Sequence, residues 1–456
     1  MPQQLALLIC VLFILFLFDR DRRSRPFDSW SLWIPMLWVF LLGSRPVSSW
    51  LGAGIEGQML EDYLEGSPLD RVVFSTLIGL GILVLLRRKV DWARIFESNK
   101  WFLAFFLYCG MSVIWSDYSL TAFKRYVKEV GNVVMAIIIL TEHDPVKAMK
   151  AILARYSYLA VPLSVLFIKY YPSLGRYYDR WIWEPIYCGI STGKNGLGAV
   201  VMIAGVFLIC DLMDMLSEGF RKADKVDVSC RIVLIGMVFY LFSLAKSSTS
   251  LVCLIIGVVL YLLLRFTPAR EQVRYLGTYG LVIGTFSLFL YYYQGILEAV
   301  VGLVGRNLTL TGRTDIWGVL VSRETSVLSL FFGAGFESYW LTDFGTARKL
   351  GFYYLLNQAH NGYLETYLQL GLVGLFLLVA VIVATGAKLK WDILEGSAHG
   401  MLLLSYFVIV IFYNWTEAIF NKLSLVWMML ILCALNHADL PGSITGGTVH
   451  DDMDTK

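Results

Sequence analysis

The chain has 456 residues, 57% of them hydrophobic and 16% charged, with a formal net charge of +3 and a mean hydropathy of +0.64. Apolar residues fall in long runs separated by short charged stretches, which excludes an ordinary soluble globular domain and leaves no room for a second large soluble unit. Since a membrane-crossing helix takes about 20 mostly apolar residues, the length accommodates a dozen spans.

In chain order the runs lie near residues 4–18, 30–43, 71–86, 101–115, 126–141, 150–168, 195–214, 231–245, 248–264, 276–293, 364–386, 400–413 and 418–436. They predict about thirteen helices. The first run is short like a signal peptide, but Asp19 to Arg25 follows it without a small-residue cleavage site, so it reads as a retained span. Trp30, Trp101, Trp115 and Tyr291 to Tyr293 sit at run ends, where amphipathic rings prefer the headgroup layer. Segments 19–29, 87–100, 215–231 and 265–274 are rich in Lys and Arg, which assigns them to the inner side, and the acidic segment 44–70 then falls outside. Two outer segments are long, 169–194 and 294–362, and long loops in a compact protein usually carry function. The second mixes Ile316, Trp317, Phe331, Phe332, Phe336, Tyr339 and Trp340 with polar residues, a pattern that predicts short helices on the membrane surface. The tail from 437 is polar and reads as a disordered cytoplasmic end. The expected division is 1–170 as N-terminal transmembrane helices and 171–436 as a second membrane domain containing the outer loop 294–363.

The seven cysteines mostly lie in or beside apolar runs and form no C-x-x-C pair, so they read as buried thiols, and the five histidines show no metal-ligand spacing. No metal, cofactor or nucleic-acid partner is expected.

Three outer segments carry candidate chemistry. Ser191-Thr192-Gly193-Lys194-Asn195-Gly196-Leu197-Gly198 places a cation and glycines at a helix start, where backbone N–H groups suit a diphosphate. It is not a nucleotide-binding P-loop: Gly189 to Gly193 is one residue short, and Asn195 stands where Ser or Thr would bind magnesium. Helix capping with a snorkelling Lys194 explains the same residues. In Thr311-Gly312-Arg313-Thr314-Asp315-Ile316-Trp317, the guanidinium could grip a phosphate in a two-pronged fashion or simply pair with Asp315, with Trp317 turned to the membrane or to a sugar face. His360 heads His360-Asn361-Gly362-Tyr363-Leu364-Glu365. On a continuous helix His360, Leu364, Tyr367 and Gly371 would share one face, with Gly371 roughly 16 Å deeper. An imidazole there can accept a proton from a sugar hydroxyl, with Glu365 placed to orient a neighbour, although a lone histidine is more often an interfacial side chain.

These segments, with Gly333-Ala334-Gly335 between them and Gly371 ten residues beyond His360, resemble the O-antigen ligase and polymerase superfamily over roughly 190–390, most closely its ExoQ-like exopolysaccharide polymerases. The resemblance implies a metal-independent, GT-C-like polytopic glycosyltransferase of about twelve helices with a large periplasmic loop, in the bacterial inner membrane. It implies an undecaprenyl-diphosphate-linked glycan as donor, an acceptor glycan, membrane lipid, and other polysaccharide-assembly proteins as partners. By the same resemblance His360 is the essential histidine, Arg313 a loop arginine that holds the diphosphate, and Lys194 stands where some members have arginine. Lys keeps the charge and loses the planar fork. Asn195, Arg306, Lys246, Trp317, Asn361 and Glu365 complete the expected substrate-contacting set. The expected activity is polymerisation of glycan repeat units; transfer to a lipid or other acceptor by a ligase, and transport by a flippase, are the alternatives.

Overall fold

The computed structural model describes residues 1–24, 29–52, 67–178, 183–217, 224–292, 313–321, 326–341 and 358–435. Among the described residues it is an all-α bundle with one small exception. Its main helices are α1 (Gln3–Ser24), α2 (Trp33–Leu42), α3 (Pro68–Arg87), α4 (Lys100–Met111), α5 (Ser119–Leu140), α6 (Pro145–Tyr170), α7 (Lys194–Ser217), α8 (Lys225–Ala245), α9 (Ser248–Leu264) and α10 (Leu276–Tyr292). After these come the short α11 (Arg313–Val321) and α12 (Val327–Phe332), then α13 (Gly362–Leu394), α14 (Ala398–Tyr413) and α15 (Leu425–Leu435). Each of the thirteen apolar runs overlaps a helix, and α11 and α12 are short helices within the expected outer loop.

Six described helices are long and apolar enough to cross a membrane, or seven if α9 and the segment Thr267–Val282, bent by 110°, form one broken span. Helices α14 and α15 are shorter yet almost wholly buried. They serve as the inner staves of the bundle, with α6 and α7 wrapped against the same core. Expectation and structure differ at the last run: α15 starts at Leu425, not near 418. The Asn414 Oδ1 accepts the N–H groups of Ile419 and Phe420, both at 3.0 Å, and Asn421 takes a left-handed φ of 61°. Together these turn residues 414–424 into a buried loop. The outer segment 169–194 contains the exception to the helical plan, a two-stranded antiparallel hairpin pairing Arg176–Tyr178 (β1) with Pro185–Tyr187 (β2).

Polar contacts sort by end of the bundle. At the basic end, Arg155 pairs with Asp21 at 2.8 Å, Arg231 with Asp211 at 2.8 Å, Lys150 with Asp214 at 3.1 Å, and Arg20 with Asp224 and Asp227. At the other end Ser48 binds Asp70, Ser116 binds Ser338 and Asn195 binds Glu417. These bonds join only segments that the Lys/Arg alternation puts on the same side. That end, opposite the basic loops, holds every expected site residue the structure describes.

Candidate active site

His360 sits between two elements that fix its backbone. The N–H of Ala359 donates to Glu365 Oε2 at 2.7 Å, and its carbonyl accepts from Trp317 Nε1 at 2.8 Å. On the other side Asn361 Oδ1 caps α13 by accepting the N–H groups of Tyr363 and Leu364, each at 3.0 Å, and Gly362 N–H donates to the Asn414 carbonyl at 2.7 Å. His360 itself is held at φ 51°. A left-handed backbone costs a residue with a side chain about 1–3 kcal/mol and persists only where surrounding bonds over-determine it. Those five bonds do so here.

The imidazole side chain remains 27% exposed, and its Nδ1 lies 3.7 Å from Glu417 Oε2 and 3.3 Å from Gln358 Nε2. The other carboxylate oxygen of Glu417 accepts from Asn195 Nδ2 at 2.9 Å. Glu417 is 5% exposed, so its charge acts at short range on the ring beside it. A cavity of about 190 Å³ opens next to this trio, lined by Asn195, Gly196, Gln358, Tyr413, Glu417 and Ser424 among others. An Nδ1 proton turned toward Glu417 leaves the Nε2 lone pair available as a base.

Glu417 and Lys422 are not among the expected site residues: Lys422 falls inside the apolar run 418–436, and Glu417 in the short gap before it. The signal lies in Asn414, Thr416, Glu417, Asn421 and Lys422, five polar residues within nine positions between apolar stretches. Arg45 also escaped notice. It is 9% exposed and donates to the carbonyls of Leu174, Gly189 and Ser191 at 2.6, 2.8 and 3.2 Å and, through Nε, to that of Ile190 at 3.3 Å. This clamp fixes the loop that leads into α7 and so the placement of Lys194 and Asn195.

Several expected contacts are corrected by geometry. Glu365 is 1% exposed and takes Trp340 Nε1 at 2.8 Å, Gln369 Nε2 at 3.0 Å and the Lys422 ammonium at 3.3 Å besides the Ala359 amide. With every oxygen engaged it props the histidine from below and has no face for substrate. Trp317 is partly buried, its indole N–H bound to the Ala359 carbonyl and its ring packed against the cluster of Ile316, Leu320, Tyr339 and Trp340. The oxygen of Asn361 is occupied in capping. Lys194 begins α7 and is exposed, as expected of a cation at that helix start. Lys246 is a left-handed C-cap whose side chain is 75% exposed, with Nζ 3.8 Å from Glu184. Arg313 opens α11; its side chain and the whole of Arg306 lie outside the described residues.

Gly371 is not a helical glycine facing a neighbour. It breaks α13 with φ 65° and ψ −166°, and the break frees carbonyls that a continuous helix would use internally. Leu368 and Gln369 accept instead from the N–H groups of Ala334 and Gly335, at 3.1 and 2.8 Å, and Leu370 accepts from Tyr108 OH at 3.0 Å. The Gly333-Ala334-Gly335 segment thus docks into the break. Beyond it Glu337 faces Arg125 at 3.8 Å; burial pushes its carboxyl up, opposed by Arg125 and Lys422.

The fold and these contacts define a multi-pass helical membrane protein with its polar site at one end of the bundle. Residues 232–379 match the model of the O-antigen ligase family, a stretch that includes His360, Arg313 and Gly371 and leaves Lys194 and Glu417 outside. The chain is also 24% identical over 304 residues to the exopolysaccharide production protein ExoQ of Rhizobium meliloti (strain 1021), an alignment covering 64% of this chain and 66%, just under two thirds, of that relative. Over these residues the protein is similar to the O-antigen ligase family and to an exopolysaccharide production protein.

Proposed function

We propose that the protein is a membrane glycosyltransferase that moves glycan repeat units from undecaprenyl diphosphate onto an acceptor glycan, at the outer face of the bacterial inner membrane. The observation that carries this reading is the His360–Glu417–Asn195 arrangement, a partly exposed imidazole backed by a buried carboxylate that, with Asn195, lines a cavity. In the proposed step an acceptor hydroxyl gives its proton to His360 Nε2 as its oxygen bonds to the anomeric carbon. The bond from that carbon to the diphosphate oxygen breaks, undecaprenyl diphosphate departs with the electron pair, and the anomeric configuration inverts. Charge grows on the leaving diphosphate, where Lys194, Lys246 and Arg313 are the proposed stabilising cations. The proton taken up leaves imidazolium facing Glu417, and the carboxylate stabilises that ion.

Similarity to the O-antigen ligase family admits a ligase as well as a polymerase, and the similarity to an exopolysaccharide production protein favours the polymerase. Detergent-purified protein given a lipid-linked glycan should lengthen it without an intact membrane. Failure to do so, with transport across a sealed vesicle instead, would support a flippase and overturn the reading.

Glu417 supplies a sharper check. Replacing it with Gln keeps a hydrogen-bonding group but removes the charge next to the imidazolium. A bond to a charged group contributes about 1.5–3 kcal/mol, so kcat should fall roughly 10- to 100-fold with KM little changed. Equal losses in both parameters would mean that Glu417 only shapes the cavity.

A further inference from the structure

The turn that presents Glu417 carries a side chain that the transfer step leaves unused. Within 414–424 Trp415 alone is exposed, to 50%, while Asn414, Glu417, Phe420 and Asn421 around it are buried. Its N–H donates to the Phe412 carbonyl at 3.1 Å, and the N–H groups of Thr416 and Glu417 donate to the Tyr413 carbonyl at 3.3 and 3.0 Å. The Trp415 carbonyl accepts from Asn361 Nδ2 at 3.3 Å, and its indole meets the Tyr363 ring in a T-shaped contact with centroids 6.4 Å apart. One hydrogen-bonded turn thus fixes both the carboxylate facing His360 and an open indole tied to the residue after that histidine.

Neutral hydroxyls and a cation adjoin the same turn. The hydroxyl of Thr416 bonds to that of Thr249 at 2.8 Å, near the start of α9. Lys246 stands just before that start, its Nζ 3.8 Å from Glu184. The contacts thus run from His360 through Asn361 and the Trp415–Thr416 turn to Thr249 and on to Lys246, one of the cations proposed for the leaving diphosphate. The sugar ring whose anomeric carbon is attacked has to occupy that interval, because the entering oxygen is at the base and the departing diphosphate at the cation. A pyranose presents a face of C–H bonds and a rim of hydroxyls. The negative face of an indole attracts the polarised C–H hydrogens and excludes water from them, and each threonine hydroxyl keeps acceptor capacity beyond the bond the pair shares. An indole that only anchors the chain at the headgroup layer has no need to share a turn with the histidine's carboxylate partner.

We infer that Trp415 is a substrate-binding residue whose indole stacks on the C–H face of the reacting sugar ring, with Thr249 and Thr416 at the hydroxyl rim. The inference rests on the proposed transferase reading and deepens it by naming a substrate class, a glycan whose reducing-end sugar is a pyranose with an uninterrupted C–H face. A stack of this kind is made in the bound ground state and kept at the transition state. Its loss therefore raises KM and leaves kcat nearly unchanged.

The probe is the free repeat-unit glycan, released from its lipid diphosphate by mild acid, in equilibrium dialysis against the detergent-purified full chain. Trp415→Leu should weaken its binding about tenfold or more, and Trp415→Phe, which keeps an aromatic face, should stay within about threefold of wild type. With the lipid-linked glycan as substrate, the Leu variant should show KM raised by a like factor and kcat within about twofold. Both variants should keep the wild-type thermal midpoint, since the indole is exposed. An interface anchor gives the opposite pattern, with the Leu and Phe variants alike and free-glycan binding untouched. That pattern overturns the inference, as does a wild type that does not bind the free glycan or a loss confined to kcat. Failure of the transferase reading would show differently, as absence of glycan transfer by a wild type that still binds the free glycan.

Discussion

His360→Ala is expected to lower the rate of glycan transfer by about 10²–10⁴-fold, the usual contribution of a positioned general base, while the protein still inserts and still binds its lipid-linked donor. The effect should be large because no second base stands in reserve. Glu417 lies 3.7 Å from the ring but is 6% exposed at its side chain, and Glu365 is enclosed by four donors. Glu365 has no open oxygen, and Glu417, although it lines the cavity, is engaged with Asn195 through one oxygen and faces the ring with the other. Initial rates on a lipid-linked glycan with purified variant give the number, and cells carrying the variant should accumulate single repeat units in place of polymer. A variant within threefold of wild-type rate would remove His360 from the chemistry and leave it as the structural residue that its clamped backbone also permits.

The helices were legible because a span must be long and apolar, and nothing about tertiary packing can hide that requirement. The break in α13 was not, since Leu364 to Ala380 reads as one continuous apolar helix and only Gly371 marks the interruption. Whether a glycine in such a run is helical or left-handed depends on what packs against it, and that partner, Gly333 to Gly335, comes from 36 to 38 residues earlier in the chain. The histidine was legible as a residue but not as a geometry. Its carboxylate partner comes from the short gap between two apolar runs, and two of the residues expected to touch substrate, Trp317 and Glu365, hold the peptide just before it. Sequence spacing identifies which residues share a helix face; it does not say which side chains spend their hydrogen-bonding capacity on backbone.

Gly371→Ala should produce the second large effect, on stability as well as activity. A Cβ built at Gly371 would fall 2.3 Å from the carbonyl carbon and oxygen of Phe331, backbone atoms that cannot swing aside as a side-chain end can. The φ of 65° with ψ of −166° belongs to a region that only glycine occupies at ease. Relief requires α13 to straighten or the 331–335 segment to lift away. Either movement breaks the bonds from Ala334 and Gly335 to the Leu368 and Gln369 carbonyls and draws Trp340 from Glu365, loosening the prop under Ala359 and His360. Strain of about 1–3 kcal/mol and two bonds of about 1 kcal/mol each give a loss of roughly 3–5 kcal/mol, enough to lower the thermal midpoint in detergent markedly and to abolish most transfer. Gly386→Ala in the same helix is the control, because a Cβ there meets Leu276 and Phe407 at an ordinary 3.5 Å and should leave midpoint and rate near wild type. If the two variants behave alike, the break at Gly371 does not hold the histidine in place, and the docking of Gly333 to Gly335 has no part in assembling the site.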